Sequence, residues 1–426
     1  MRKITTLLAL LLMANISCNN AKKSADFKRI LEFRDEVAAD LIDNLLPWWA
    51  TKTPDYENGG FYGRIDINDS VYADANKSGV LNSRIMYTFA AAYRVTGDPA
   101  YLRIATRAKD YCIEYFIDKE FGAAYQSLDY KGVPINTGKQ LYTNAYFIYG
   151  FAEYARATGD KEALEAAKAI FELFEKHAFD KEYNGYFENF TREWEKVQPR
   201  SGTSIDRKTQ NTSLQILLSY TNLYRVWPEA RMAERLKNLI ELFLDKIINP
   251  DTYHLHYVFD RYWNSTSAIE SFGHDIEAAW FLRDAALLLG DPQLLKRVED
   301  VAVKIAEAVS KYIQPDGSLI YERDGATGRL NENRSWWTQV EAIVGYFDAW
   351  EISGDEKFLD IAINCWHYSR DHYIDKKNGG WFTSVTPDGV IRGDKAASSG
   401  GVCPYHNGRM SLEIMERVER ILHNNK

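Results

Sequence analysis

Two of the eight histidines offer the chemistry that stands out in this chain. His274 lies in Gly273-His274-Asp275-Ile276-Glu277, and His406 in Pro404-Tyr405-His406-Asn407-Gly408-Arg409. Imidazole ionises near neutral pH, so it is the side chain best suited to take a proton from carbon and to give one back. Two of them on facing elements suit a reaction that moves a proton from one face of a carbon to the other. Glu277 follows His274 at i+3, on the same face of a helix. A carboxylate there fixes the imidazole's tautomer and raises its basicity. Two structural histidines satisfied by hydrogen bonds are the competing reading.

Further polar groups cluster near such positions. Arg64, in Gly63-Arg64-Ile65-Asp66, is placed to hold a sugar oxygen or a developing enediolate charge. A structural pair with Asp66 is the alternative. Trp336-Trp337 precedes Gln339 and Glu341, and one tryptophan suits stacking on a sugar ring as well as it suits a core. Glycosidase chemistry needs two facing carboxylates. Asp275, Glu277 and Glu341 are available, but no pair stands out.

The elements that position these residues repeat about every 64 residues, six times. One mark is a turn residue with glycine and an aromatic. It occurs at Asn58-Gly59-Gly60-Phe61, Phe121-Gly122, Asn184-Gly185-Tyr186-Phe187, weakly Asp251-Thr252-Tyr253, Asp316-Gly317 and Asn378-Gly379-Gly380-Trp381. A second mark, out of phase, is Gly97-Asp98, Gly159-Asp160, Trp227-Pro228, Gly290-Asp291 and Gly354-Asp355. Glycine then aspartate reads as a helix C-cap followed by an N-cap. Each period is therefore two helices and a loop. Uncharged small-and-aromatic stretches such as Ala278-Ala279-Trp280-Phe281 predict inner helices, and amphipathic ones such as Glu162 to Lys168 predict outer helices. Six of each predict an all-α closed ring, an (α/α)6 barrel of six helical hairpins. An open solenoid is the alternative, but it needs polar capping repeats, and the last repeat is apolar up to Leu422. Asn82, Asn144, Asn211, His274, Gln339 and His406 fall at matching points of the period, which predicts one polar pocket at one end of the barrel. Simple helix capping is the alternative for the asparagines.

Net charge is −8 without a basic cluster, which argues against nucleic acid. Aromatic residues make up 14% of the chain, more than packing needs and suggestive of a sugar-binding cleft. Arg2 and Lys3 precede an apolar run from Ile4 to Ala14, too short for a stable membrane span. Cys18 and a polar stretch follow. This resembles a bacterial lipoprotein signal with Cys18 lipidated, so residues 1–25 are expected to be signal and linker and 26–426 one catalytic domain. A periplasmic lipoprotein, touching membrane only through that anchor, is the expected localisation. Cys112, Cys365 and Cys403 suggest no disulfide framework, and no metal-ligand spacing is present.

Gly59 to Asp66 (GGFYGRID), Gly273 to Leu282 (GHDIEAAWFL), Trp336 to Val344 (WWTQVEAIV) and Pro404 to Ile414 (PYHNGRMSLEI) resemble the signatures of the N-acylglucosamine 2-epimerase superfamily, on its cellobiose and mannobiose 2-epimerase branch. Val80 to Arg84 and Tyr220 to Pro228 extend the match. The resemblance implies a cofactor-free (α/α)6 barrel acting on C2 of the reducing-end sugar of a β-1,4-linked disaccharide or short oligosaccharide. It implies ring opening, then a cis-enediolate between two bases, His406 and His274, with Glu277 supporting His274. Arg64 and Asn211 are then expected at the sugar oxygens, Trp337 as the stacking platform and Tyr142 in the pocket wall, with Gln215 and Glu341 also at the substrate. Two positions depart from the pattern. Gln215 replaces a family histidine and cannot exchange a proton near neutral pH, and Gly401 replaces a family tryptophan. An aldose–ketose isomerase, a non-catalytic carbohydrate-binding lipoprotein and a glycoside hydrolase are the rival readings.

Overall fold

The computed structural model describes residues 27–197 and 206–424. The signal and linker expected over residues 1–25, with Cys18, lie outside the described residues. Twelve helices are described. The outer six are α1 (residues 27–52), α3 (Pro99–Tyr111), α5 (Lys161–Leu173), α7 (Ala230–Leu242), α9 (Pro292–Ser310) and α11 (Glu356–His372). The inner six are α2 (Gly79–Thr96), α4 (Leu141–Thr158), α6 (Gln210–Val226), α8 (Phe272–Leu289), α10 (Trp336–Ser353) and α12 (Tyr405–Asn424). Each inner helix packs on the next, and α12 returns to α2, so the ring closes. This is the (α/α)6 barrel, not the open solenoid.

Local chemistry explains the hairpins. Gly97, Gly159, Gly290 and Gly354 end α2, α4, α8 and α10 in the left-handed conformation. There a Cβ would be strained. Asp98, Asp160, Asp291 and Asp355 then cap the outer helices, each accepting from a backbone N–H of the first turn. α1 contains a five-residue π-turn, and π-turns Cys112–Phe116, Phe174–Ala178 and Phe243–Ile247 end the helical runs of α3, α5 and α7. The weak fourth loop makes the same turn as the others. Tyr253 takes φ +60° where Gly59, Gly122 and Gly379 stand in other repeats.

Four repeats share a device that the sequence reading missed. Lys77, Lys139, Lys208 and Lys395 sit fully buried just before an inner helix or its preceding loop. Each ammonium bonds the aspartate that opens its own turn, Asp55, Asp118, Asp180 or Asp375, at 2.8, 2.9, 2.9 and 2.6 Å. These ion pairs tie each glycine-aromatic loop to the start of the helix that follows.

Six short strand contacts form a belt around the same end of the barrel, each linking neighbouring repeats. Lys77–Ser78 pairs with Ser127–Leu128, Lys139–Gln140 with Asn189–Phe190, and Lys208–Thr209 with Val258–Phe259. Ile269–Ser271 pairs with Glu322–Asp324, and Arg334–Ser335 with Ser384–Val385. Arg64–Ile65 pairs with Ala396–Ala397 and closes the belt. At the opposite end, buried ion pairs fill the space between inner helices. Arg94 bonds Glu153 and Glu416, and Arg417 bonds Asp348, Glu351 and Glu413.

Candidate active site

A cavity of about 190 Å³ opens at the belt end. All six inner helices supply its lining from their first two turns: Arg84, Tyr142 and Tyr146, Asn211 and Gln215, His274 and Glu277, Trp336 and Trp337, and His406. Tyr257 and Tyr321 reach in from loops of the belt. With every inner helix presenting its N-terminus, the aligned peptide dipoles favour negative charge here.

His406, 7% exposed, is held by Glu341, with Nδ1 2.6 Å from Oε1. A carboxylate only accepts, so Nδ1–H donates to it and Nε2 is left with a lone pair. Burial, then the Arg84 and Arg409 guanidiniums, push the His406 pKa well below its usual value. His274 is pushed down to about 4 by burial. Both rings are therefore neutral near neutral pH, the state in which imidazole accepts a proton. The indole of Trp337 lies against both, with ring centroids 4.8 Å from His274 and 5.8 Å from His406.

Glu277 does not support His274 as expected. At i+3 it lies one turn deeper, where Arg409 donates to it at 2.8 Å. The partner of His274 is Ser271, with Oγ 2.7 Å from Nδ1. The carboxylate–imidazole pair is instead formed by Glu341 and His406. Glu341 is 1% exposed and lies behind His406, bonded also to Arg409 at 2.5 Å and to the Trp280 indole at 3.2 Å. It is not among the residues lining the cavity.

Arg64 is likewise absent from the lining. Side chains alternate along a strand, and in Arg64–Ile65 it is Ile65 that points inward. Arg64 is exposed, bonded to Asp394 at 2.9 and 3.2 Å and lying over Tyr72. The arginine in the pocket wall is Arg84, which the sequence reading quoted in its motif but gave no role. It is 3% exposed and donates to Gly401 O at 3.0 Å and to the Tyr142 and Tyr146 hydroxyls. Among the described residues no carboxylate is hydrogen-bonded to it, and its charge lies beside the cavity.

Of the six polar residues aligned by the period, Asn211, His274 and His406 line the cavity, while Asn82, Asn144 and Gln339 do not. Asn144 accepts from Ala124 N–H at 2.6 Å, and Gln339 accepts from Leu319 N–H at 2.8 Å. In the fourth repeat this pinning role falls to Asp275, which accepts from Leu255 N–H at 2.8 Å. The repeat thus aligns Asp275, not His274, with Asn144 and Gln339. Tyr146, Tyr257, Tyr321, Ser271 and Arg409 are further site residues the sequence reading did not single out.

Glu277, Glu341 and His406 bring their ligand atoms within 4.8 Å of one another. The Arg409 guanidinium bonds both carboxylates and provides the positive charge between them. Burial, then Glu341, push Glu277 up to about 8. A carboxyl whose folded pKa is raised above 4.5 stabilises the fold at acid pH, and this contribution is lost as pH rises through about 8. Arg409→Met leaves two buried carboxylates without their cation. It should cost about 3–5 kcal/mol of stability, with the deficit in melting temperature larger at alkaline than at mildly acid pH. An equal deficit at both would mean that the guanidinium matters by packing alone.

Comparison with known proteins agrees with this geometry. The family model described as N-acylglucosamine 2-epimerase (GlcNAc 2-epimerase) matches residues 60–407. A cellobiose 2-epimerase of Bacteroides fragilis is 44% identical over 385 residues, covering 90% of this chain and 98% of that one. One from Ruminococcus albus is 38% identical over 387 residues, with 90% and 98% covered. The solved cellobiose 2-epimerase from Bacillus thermoamylovorans B4167 superposes with a TM-score of 0.85 at 39% identity, covering 91% and 99% of the two chains.

Proposed function

Because the chain belongs to the N-acylglucosamine 2-epimerase family, and is thereby an isomerase-class enzyme, we propose that it epimerises C2 of the reducing-end sugar of a β-1,4-linked disaccharide of the cellobiose or mannobiose type. The observation that carries this reading is the pair of imidazoles, His274 and His406, that helices α8 and α12 present to one cavity. In the open-chain sugar the C2 proton is acidified by the neighbouring aldehyde. One imidazole removes it and forms a cis-enediolate. The other imidazole, entering the step as imidazolium, delivers its Nε2 proton to the opposite face, which inverts C2 and leaves the first imidazole protonated in its place.

The other residues divide the remaining work. The charge of Arg84 and the six helix N-termini stabilise the anionic enediolate. Glu341 orients His406 and stabilises its imidazolium form. Trp337 offers an aromatic face to a sugar ring, and Tyr142 offers a hydroxyl at the wall. Asn211 and Gln215 bind sugar hydroxyls. The Gln215 Oε1 is buried without a hydrogen-bond partner among the described residues, an acceptor that a substrate hydroxyl satisfies.

Proton NMR of the domain with cellobiose and mannobiose in deuterated water tests the reading. The expected result is deuterium at C2 together with the accumulating epimer. A ketose product would move the reaction to aldose–ketose isomerisation. No exchange into either sugar would remove these disaccharides as substrates.

A further inference from the structure

The two imidazoles are held by unlike partners, and the partner of His274 has given up an ordinary task. Ser78 and Thr209 stand immediately before α2 and α6, and their hydroxyls cap those helices by accepting from Leu81 and Thr212 N–H. Ser271 stands at the same place before α8 and, like Ser335 before α10, its side chain makes no cap bond. Its Oγ is turned instead to Nδ1 of His274, at 2.7 Å. The residue is 4% exposed and sits in the belt, paired with Glu322, so the hydroxyl is rigidly placed. The other groups around His274 are His406, Trp337, Tyr257, Tyr321, Arg84 and, one turn deeper, Glu277. Among the described residues, Ser271 is the hydrogen-bond partner of His274 Nδ1.

We propose that Ser271 is the positioning residue of His274, and that its neutral hydroxyl makes the two bases of the site unequal. This rests on the two-imidazole reading above. A carboxylate only accepts, so Glu341 fixes His406 with its proton on Nδ1 and favours the imidazolium once Nε2 is protonated. A hydroxyl both donates and accepts. Ser271 donates to Nδ1 when His274 holds its proton on Nε2. It accepts from Nδ1–H when Nε2 presents its lone pair or carries the second proton. His274 can thus take either role while its ring stays in one place, but its imidazolium gains no carboxylate. Glu341 thus supports the imidazolium of His406 against the Arg84 and Arg409 charges beside it, a support that Ser271 cannot give His274.

Ser271→Ala, with Ser271→Thr as the variant that keeps the hydroxyl, tests this by turnover and by C2 deuterium exchange measured separately from each epimer. Epimerisation by Ser271→Ala should fall at least about tenfold, part of the roughly 10²–10⁴ that positioned acid–base groups supply. KM and melting temperature should change little, because no cap is lost. For the epimer whose C2–H faces His406, exchange should continue while conversion slows, so the ratio of exchange to epimerisation rises. For the other epimer both should fall together. Ser271→Thr should restore turnover and ratio. Unchanged turnover and ratio in Ser271→Ala would overturn the proposal. So would a loss with equal ratios for both epimers and a lowered melting temperature. Full turnover in His274→Ala would instead remove the two-imidazole reading itself, whatever Ser271 does.

Discussion

Replacing His406 by alanine should lower epimerase turnover by roughly 10²–10⁴, the contribution of a positioned acid–base group, and His274→Ala should do the same. The reason lies in the geometry of inversion. In the proposed mechanism each face of C2 has one imidazole, and neither ring serves both faces because α8 and α12 carry them at separate places in the cavity lining. The two single variants should also differ from each other. With His406 gone, His274 still removes and returns the proton on its own face, so one epimer exchanges C2 hydrogen without being converted. With His274 gone, the other epimer does so. Complementary exchange in the two variants is a stronger result than two inactive proteins, since a misfolded cavity would exchange neither sugar. Full turnover in either variant would end the two-base mechanism. Melting temperature checks the fold of both variants, above all at His406, which is buried and bonded to Glu341.

Arg84→Met should cost about 10²–10³ in kcat, the scale for loss of a preorganised donor to a developing oxyanion. Arg64→Ala should leave kcat/KM within about threefold, as befits an exposed ion pair. The contrast separates two arginines that motif reading cannot rank. Arg84 is enclosed by Tyr146 and Tyr405, its guanidinium carbon 4.0 and 4.6 Å from their ring centroids. Among the described residues no carboxylate is hydrogen-bonded to it, although Glu277 and Glu341 lie within reach of its charge. A methionine of similar length preserves much of the packing while removing the charge, so a loss confined to kcat would locate the effect in the enediolate. A loss of melting temperature with proportionate loss of activity would assign Arg84 to architecture. A large effect of Arg64→Ala would return the sugar-binding role to the belt's outer side.

What could be read from the chain follows the range of the forces involved. Glycine followed by aspartate at the hairpin turns is chemistry between adjacent residues, and four of these junctions cap as expected. The period brought His274, His406 and Asn211 to one mouth because helix starts recur with it. It erred where one residue of phase decides. Asn144, Gln339 and Asp275 share the position that pins the loops, and His274 precedes it by one, about 100° around the helix. Arg64 was misjudged because a two-residue strand sets its direction, and only the pairing with Ala396–Ala397 fixes that strand. Arg409 between Glu277 and Glu341, and Glu341 behind His406, are contacts across the barrel with no local signature. The buried Lys–Asp pairs do recur with the repeat. Their signal was legible, but charged residues are ordinarily assigned to the surface.

The closed belt also governs how the ring can be assembled. In an open array, a repeat adds its stability as soon as its neighbour is present, and folding can begin anywhere and spread. Here the seam joins Arg64–Ile65 to Ala396–Ala397, and Arg29 to Asp360, 331 residues apart. Those contacts are among the described ones with the largest loop-closure entropy and reward the chain last. Until they form, the first and last repeats behave as raw ends, with the buried faces of α2 and α12 open to solvent or to another chain. The pocket is in the same position, since Arg84 comes from the first inner helix and His406 from the last. A chain emerging from synthesis thus holds no complete site until its final helix has docked. Catalytic competence and topological closure are one event.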